Sequence, residues 1–137
     1  MPNNQEVEFF WFQCKEPRGY NAKNWGWDLY DEGTRRRHTQ VFNAIKVDSQ
    51  VLCYHVKKQN IIGRFIVIGK TNDSCYLKLE EEMSIQMSDE ICKEIYNKKD
   101  ENGKCYPIDK DYQLNQGTYF ILNRAQFEYL CSLKENK

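Results

Sequence analysis

The sequence predicts an α+β fold, namely a curled, mostly antiparallel sheet or small β-barrel with flanking helices. Strand-like runs follow one another through short connections, which favours antiparallel pairing, and segments with helical apolar spacing lie between them. Apolar residues make up 40% and aromatic residues 14% of the 137 residues, which is enough to fill a core. The length is that of one domain, so we expect residues 1–137 to form a single unit.

A strand comes first, and a long loop follows it. Residues 7–15, VEFFWFQCK, are aromatic and apolar and end shortly before Pro17, which predicts a strand. Residues 16–33 are rich in turn-forming residues and predict a loop. Loops of this length are uncommon unless they are functional or disordered, and the aromatic content argues against disorder.

A helix and a second strand come next. Residues 34–47 predict a helix with Thr34 near its N-cap, because four residues repeat at helical spacing along one face. The residues on that face are His38, Val41, Phe42 and Ile45. Asp48-Ser49 predicts a turn, and residues 50–56 predict a strand.

Two long strands and a short helix occupy the middle of the chain. Residues 59–70 are β-branched and apolar, and Gly63 within them indicates a bulge or a close approach by another group. Residues 74–87 predict a further strand, bent along its length. Ser88 is placed to cap a helix over residues 89–99.

The chain closes with a loop, a strand and a helix. Asn-Gly and Pro within residues 100–109 predict the loop. Residues 117–122, GTYFIL, predict the last strand. Asn123 is placed to cap a final helix over residues 124–134, whose apolar residues follow helical spacing.

Composition limits the classes of function. The formal net charge is +0, so any nucleic-acid binding must use a local basic patch. No apolar run has the length of a membrane span, and the first residues lack a signal-peptide profile, so we expect no membrane partner. The six cysteines show no C-x-x-C spacing and only two histidines accompany them, which argues against a zinc site; we expect no cofactor. Buried, reduced thiols in a cytoplasmic or nucleoid-associated protein are the expected state.

The segment NWGWDLYDEGTRRRH, residues 24–38, carries the strongest functional pattern. Trp25, Trp27 and Tyr30 offer ring faces that can stack on a nucleobase. The arginines at 35–37 and the free N–H groups of a helix start suit phosphate. The alternative is that the tryptophans cover the core while the arginines pair with nearby Asp and Glu residues.

Several motifs, in order along the chain, resemble one known family. FWFQCKEP (10–17), NAIKVDSQVLCYHV (43–56), IIGRFIVIGK (61–70) and NQGTYFILNRAQFEYL (115–130) are similar to segments of the EVE domain. This domain belongs to the PUA-like superfamily and is related to the YTH readers of methylated adenine. The resemblance implies a PUA-like barrel with outer helices and an aromatic cage for a modified base of DNA or RNA.

The resemblance also implies positions for the site. Trp11, Trp25 and Tyr54 would surround the base, with Lys15 and His55 as polar contacts. The loop pattern adds Trp27 and Tyr30 to this pocket. The cations available for phosphate are Arg35, Arg36, Arg37, Lys57, Lys58 and Arg64. Trp11 could equally be a core residue, and His55 an ordinary strand histidine.

The expected function is a non-catalytic module that recognises a modified, typically methylated, base in DNA or RNA. Such a module suits a modification-dependent restriction system or an RNA-related system, within a larger protein or complex that contains an effector. One alternative is an enzyme acting on a nucleotide or RNA through Cys53 or His55. Another is a protein-interaction module that uses exposed aromatic rings. We interpret Glu80–Glu82 as a solvated strand end rather than a catalytic acid cluster.

Overall fold

The computed structural model describes residues 9–14, 24–28, 41–71, 74–99, 106–115 and 119–133; for Cys14, residues 24–28 and Ser74 it describes the backbone alone. The strands are β1 (Phe9–Cys14), β2 (Asn24–Asp28), β3 (Gln50–His55), β4 (Asn60–Lys70), β5 (Ser74–Gln86) and β6 (Tyr119–Leu122). The helices are α1 (Asp89–Asn97) and α2 (Arg124–Leu133). Residues 41–44 are also helical.

The six strands form one sheet in the order β2-β5-β4-β3-β1-β6. β1 and β3 run parallel, and every other neighbouring pair is antiparallel. The register shifts three times between β4 and β5 and once between β3 and β4, which bends and twists the sheet. The predicted α+β fold with a curled, mostly antiparallel sheet is therefore confirmed.

The sheet separates two apolar layers. Alternation along β1 sends Phe10 and Phe12 to one layer and Phe9 and Trp11 to the other. The first layer contains buried side chains of the helical segment, and we call this side of the sheet the 41–45 face. The second layer contains buried side chains of α1 and α2, and we call it the α1/α2 face. The helical side chains are Val41, Phe42 and Ile45 in the first layer and Cys92, Ile95, Phe127 and Leu130 in the second.

The predicted caps Ser88 and Asn123 are present, and the predicted cap Thr34 lies outside the described residues. The Ser88 hydroxyl accepts a hydrogen bond from the Ile91 backbone N–H at 3.2 Å at the start of α1. At the start of α2, Asn123 and Gln126 bond reciprocally: Oδ1 of Asn123 accepts from the Gln126 N–H at 2.8 Å, and Oε1 of Gln126 accepts from the Asn123 N–H at 2.9 Å. The Gln126 side chain also donates to the Ile95 carbonyl at 2.9 Å, so this capping box joins α2 to α1. Neither helix has the length and hydropathy of a membrane span.

The prediction of a loop over residues 16–33 is wrong for residues 24–28, which form β2. This strand pairs antiparallel with β5 over five residue pairs, including Trp25 with Leu77 and Trp27 with Cys75. The backbone groups on the outer side of β5 need hydrogen-bond partners, and the tryptophan–glycine–tryptophan alternation is compatible with a strand that supplies them. Turn-forming residues on both sides of this short strand led the sequence analysis to predict one continuous loop.

The helix predicted over residues 34–47 ends earlier than expected. Residues 41–44 are helical, and the chain then enters a turn in which Asp48 has a φ of 80°. The ammonium group of Lys70 donates to the carbonyls of Phe42 and Ile45 at 2.7 and 2.8 Å, so a side chain from β4 satisfies the last helical carbonyls. Ile45 is buried with the helical apolar face as predicted.

Gly63 lies at one of the register shifts, as the sequence predicted. A Cβ at this position would lie 2.8 Å from Leu79 Cδ1, 3.0 Å from Phe65 Cε1 and 3.2 Å from the Glu81 carbonyl oxygen. A side chain at this position would therefore require the Leu79 and Phe65 side chains to move and would lie tight against the β5 backbone. At Gly69, by contrast, an added Cβ would meet Tyr76 Cδ2 at an ordinary 3.7 Å.

We expect Gly63→Ala to destabilise the fold and Gly69→Ala to leave it nearly unchanged. Overpacking at Gly63 should cost about 1–3 kcal/mol, because the Leu79 and Phe65 side chains must move within a packed layer. Urea unfolding of the two variants checks this, with the midpoint as the measure and an unchanged slope as evidence of an intact native state. Equal midpoints for the two variants would contradict the close approach at Gly63.

Candidate nucleic-acid interface

Two interior strands that are distant in sequence end side by side. Because β1 and β3 run parallel, their carboxyl ends lie next to each other, with Gln13 opposite Tyr54 and Cys14 opposite His55. We call the carboxyl ends of these two strands the β1/β3 edge. It brings together several residues that the resemblance assigns to the site.

The turn that leaves this edge is locally basic. Residues 56–59 connect β3 to β4, and both Lys57 and Lys58 are exposed there. His55 fixes the turn, because its Nδ1 accepts a hydrogen bond from the Lys58 backbone N–H at 3.2 Å. The turn contains no acidic residue, and Lys58 forms no ion pair with any residue that the structure describes. An exposed pair of ammonium groups in such a place suits a phosphate group.

Trp11 and Tyr54 lie together but inside the core. Their rings stack at 5.4 Å between centroids with 22° between planes, and their side chains are 0% and 5% exposed. The indole N–H of Trp11 donates to Oε1 of Gln13 at 3.0 Å. Both rings therefore pack in the buried layer of the α1/α2 face, next to the β1/β3 edge, and neither ring is accessible from solvent.

Gln13 is a residue of this edge that the sequence did not reveal. Its side chain is 8% exposed, accepts from Trp11 and donates through Nε2 to the Asn115 carbonyl at 3.2 Å. Asn115 in turn donates to the Tyr106 carbonyl at 2.9 Å, so one buried amide ties β1 to the segment 106–115. The sequence signal that could have identified it is a glutamine within an otherwise apolar strand, two residues from a tryptophan.

Trp25 and Trp27 occupy a different part of the sheet. They lie directly opposite Leu77 and Cys75, two buried residues of the 41–45 face. Directly opposed residues of an antiparallel pair share a face, so the register assigns both tryptophan positions to the 41–45 face. Trp11 and Tyr54 belong to the opposite face.

The two groups are also separated along the sheet. Trp25 pairs with Leu77, and Leu77 pairs with Val67. The Val67 N–H donates to the Ser49 carbonyl, so Trp25 is level with the start of β3. Tyr54 lies near the far end of β3, and β5 and β4 stand between β2 and β3. The described strands thus place the predicted pocket positions in two groups on opposite faces of the sheet. Lys15, Tyr30, Arg35, Arg36 and Arg37 lie outside the described residues.

Arg64 is held by acids of the neighbouring strand. Its guanidinium group lies 2.9 Å from a Glu80 carboxylate oxygen and 3.4 Å from one of Glu81, and it donates to Gln50 Oε1 at 3.2 Å. The carboxylates of Glu80 and Glu81 compensate its charge, whereas Lys58 has no such partner among the described residues. The expected strand end at Glu80–Glu82 is corrected as well, because these residues lie within β5 and two of them bind Arg64.

The cysteines proposed for catalysis or packing lie in apolar surroundings. Cys53 is fully buried in the 41–45 face, and Cys92 is buried in the α1/α2 face; both are free thiols. Burial, with a smaller contribution from Asp89, raises the pKa of the Cys92 thiol, and burial followed by Cys92 raises the pKa of Tyr54. Such thiols have the environment of structural cysteines. Among the described residues, no three His, Cys, Asp or Glu side chains are grouped to hold a metal ion.

Comparison with solved structures gives a likeness of fold. No protein-family model matches the chain, and no curated protein sequence matches it. Among solved structures, the fold is similar to that of the human THYN1 protein in complex with 5-methylcytosine containing DNA, with a TM-score of 0.61 and 12% sequence identity. The similarity covers 94% of this chain and 98% of that chain. It shows a shared fold over nearly the whole length of both chains.

Gln13→Leu is expected to destabilise the protein by about 1–3 kcal/mol, because it leaves the buried indole N–H of Trp11 without an acceptor. Gln86→Leu is the matched control, since Gln86 is exposed at the end of β5. Urea unfolding of both variants measures the difference. An equal effect of the two substitutions would show that the Trp11–Gln13 bond does not stabilise the edge.

Alkaline pH is expected to destabilise the protein through Cys92 and Tyr54. Their folded pKa values lie above the ordinary values of 9.0 and 10.0, so the folded state binds these protons more tightly than the unfolded state. The associated stability is present below about pH 9 and is lost as the pH rises through the folded pKa values. Burial lowers the pKa of Lys70 and acts in the opposite direction, so the comparison requires a variant.

Urea unfolding between about pH 8 and pH 10.5 checks this expectation. Cys92→Ala should show a shallower fall in unfolding free energy than the wild type. A Cys92→Ala variant with the full wild-type fall would assign the pH dependence to other groups.

Proposed function

We propose that this chain is a non-catalytic EVE-type module that binds nucleic acid and recognises a modified base, with 5-methylcytosine as the first ligand to test. The observation that carries the proposal is the fold likeness, over 94% of the chain, to a protein whose structure contains 5-methylcytosine DNA. The motif order along the sequence supports the same family, independently of the structure.

Trp25 and Trp27 are the proposed base-stacking residues, with Tyr30 completing the aromatic group. They flank a glycine on an edge strand of the described sheet, where a nucleotide can approach without crossing another strand. Stacking on aromatic rings contributes about 1–3 kcal/mol per base. A flipped base costs a few kcal/mol to extrude from a duplex, so base stacking needs support from other contacts.

Phosphate contacts are proposed to supply that support. Arg35, Arg36 and Arg37 precede the helical segment on the 41–45 face, and Lys57 and Lys58 extend from the β1/β3 edge. Each phosphate neutralised should appear as a fall of affinity with salt. Arg64 has no place in this set because Glu80 and Glu81 already bind it.

The remaining predicted pocket residues receive supporting roles. Trp11 and Tyr54 form the buried base of the β1/β3 edge, and His55 orders the turn that carries the two lysines. Lys15 continues the chain from that edge and adds a further cation. The neutral net charge favours modest affinity, which linkage to an effector in a larger protein or complex would compensate through effective concentration.

Fluorescence anisotropy with labelled oligonucleotides tests the proposal. Single-stranded and duplex DNA and RNA are compared, each with one central modified cytosine or its unmodified counterpart, at matched salt. We expect wild-type protein to prefer a modified oligonucleotide by at least about fivefold, and Trp25→Ala to lose that preference, in line with one lost stacking contact. Tyr129→Ala on α2 should retain it.

Two results would count against the reader function. Equal affinity of the wild type for modified and unmodified oligonucleotides would remove the claim of base recognition. Loss of preference in Tyr129→Ala as well as Trp25→Ala would indicate general destabilisation rather than a site at β2. Circular dichroism of each variant separates these outcomes.

A further inference from the structure

The exposed side of the sheet carries an aromatic ring that the proposed reader site does not use. Tyr76 is 46% exposed and Ile68 is 51% exposed, although both belong to central strands of the described sheet. Tyr76 stands between Cys75 and Leu77, which are fully buried on the 41–45 face, so its ring points to the other side. The helices α1 and α2 leave this part of their face uncovered. We call Ile66, Ile68, Tyr76 and Lys78 the open patch.

Glycines flank Tyr76 on both neighbouring strands. Its partner on β4 is Gly69 and its partner on β2 is Gly26. A Cβ at Gly69 would lie 3.7 Å from Tyr76 Cδ2, so the ring rests beside backbone with no side chain between. Neither cross-strand neighbour has a side chain to cover the ring, which can therefore serve as a flat stacking surface.

A single cation accompanies the ring. Lys78 is exposed, lies two residues from Tyr76 on the same face, and forms no ion pair with any residue that the structure describes. Arg64 on the adjacent strand is neutralised by Glu80 and Glu81. An open aromatic face next to such an ammonium group is the combination that binds an unpaired base and its phosphate.

The open patch adjoins the proposed reader site across the sheet edge. Gly26 pairs with Tyr76 and stands between Trp25 and Trp27 in sequence, so the backbones that carry the patch and the tryptophan positions are one strand spacing, about 5 Å, apart, and the two sets of positions lie on opposite faces. β2 is the outermost strand on this side of the described sheet. A nucleic-acid strand that bends around β2 would place one base on each face.

We propose that Tyr76 stacks on the unpaired base adjacent to the recognised modified base, and that Lys78 contacts the phosphate beside it. This inference rests on the proposed function and extends it to the neighbouring nucleotide. Recognition then involves at least two successive bases, one on each face of the β2 edge. The partner is a nucleic acid whose bases are unpaired at this point.

A double-mutant cycle tests the contact. The probe is a labelled single-stranded DNA 9-mer with one central 5-methylcytosine, together with versions that are abasic on its 5′ or 3′ side. Tyr76→Ala should weaken binding of the intact probe about tenfold, and Tyr76→Phe should stay within about twofold because the ring is retained. One abasic probe should bind wild type about tenfold more weakly and show no further loss with Tyr76→Ala.

Three further measurements distinguish stacking by Tyr76 from charge effects, from loss of apolar surface and from unfolding. Lys78→Ala should reduce the slope of log affinity against log salt by about one unit. Val47→Ala removes an exposed apolar residue outside the open patch and should leave affinity near the wild-type value. Unchanged thermal unfolding of Tyr76→Ala confirms that its effect acts on binding.

The outcomes distinguish this inference from the function on which it rests. Wild type that prefers the modified probe, with Tyr76→Ala binding equally well, would overturn the stacking role and leave the reader function intact. Wild type with no preference would overturn both. A change of oligomeric state in Tyr76→Ala with unchanged affinity would mark the open patch as a protein contact and overturn the inference.

Discussion

The parallel pairing of β1 with β3 is the constraint on which the rest of the structure depends. Six residue pairs fix it, from Phe9 with Gln50 to Cys14 with His55, in a sheet whose other pairs are antiparallel. Parallel neighbours cannot be joined by a hairpin and require a crossover of a dozen or more residues. The long segment between the two strands is therefore a topological necessity. It contains β2, the arginine run and the helical segment, which are the parts on which recognition is proposed to depend.

The same pairing determines which tryptophans lie in the core and which lie on an outer strand of the described sheet. Trp11 is buried because β1 lies between β3 and β6, with apolar layers on both faces of the sheet. Its indole N–H then needs an internal acceptor, which Gln13 provides, and that amide also holds the segment 106–115. The tryptophans of the crossover lie on an edge strand instead. Position in the sheet, rather than residue type, separates core rings from candidate ligand-binding rings.

Local sequence signals predicted several features of the fold correctly. Ser88 and Asn123 cap their helices, Gly63 marks a close approach of strands, and Val41, Phe42 and Ile45 share a buried face. Each of these features was indicated by a residue type or a spacing within a short segment of sequence. Features that depend on distant partners were missed or misplaced. β2 needs β5, the end of the 41–44 helix needs Lys70, and the charge of Arg64 is cancelled by β5.

The sequence suggests the chemistry of the candidate site, which stays a prediction, but could not predict the arrangement of its residues. Aromatic rings followed by arginines indicated a base and its phosphate, yet no periodicity could show that Tyr54 and Trp25 lie on opposite faces of the sheet. An NMR titration of the three tryptophan indole N–H signals with a 5-methylcytosine oligonucleotide tests the central claim most directly. We predict that the signals of Trp25 and Trp27 shift, that Trp11 stays fixed by its bond to Gln13, and that the unmodified oligonucleotide causes smaller shifts. Perturbation of Trp11 alone, or equal shifts with both oligonucleotides, would contradict the reader function.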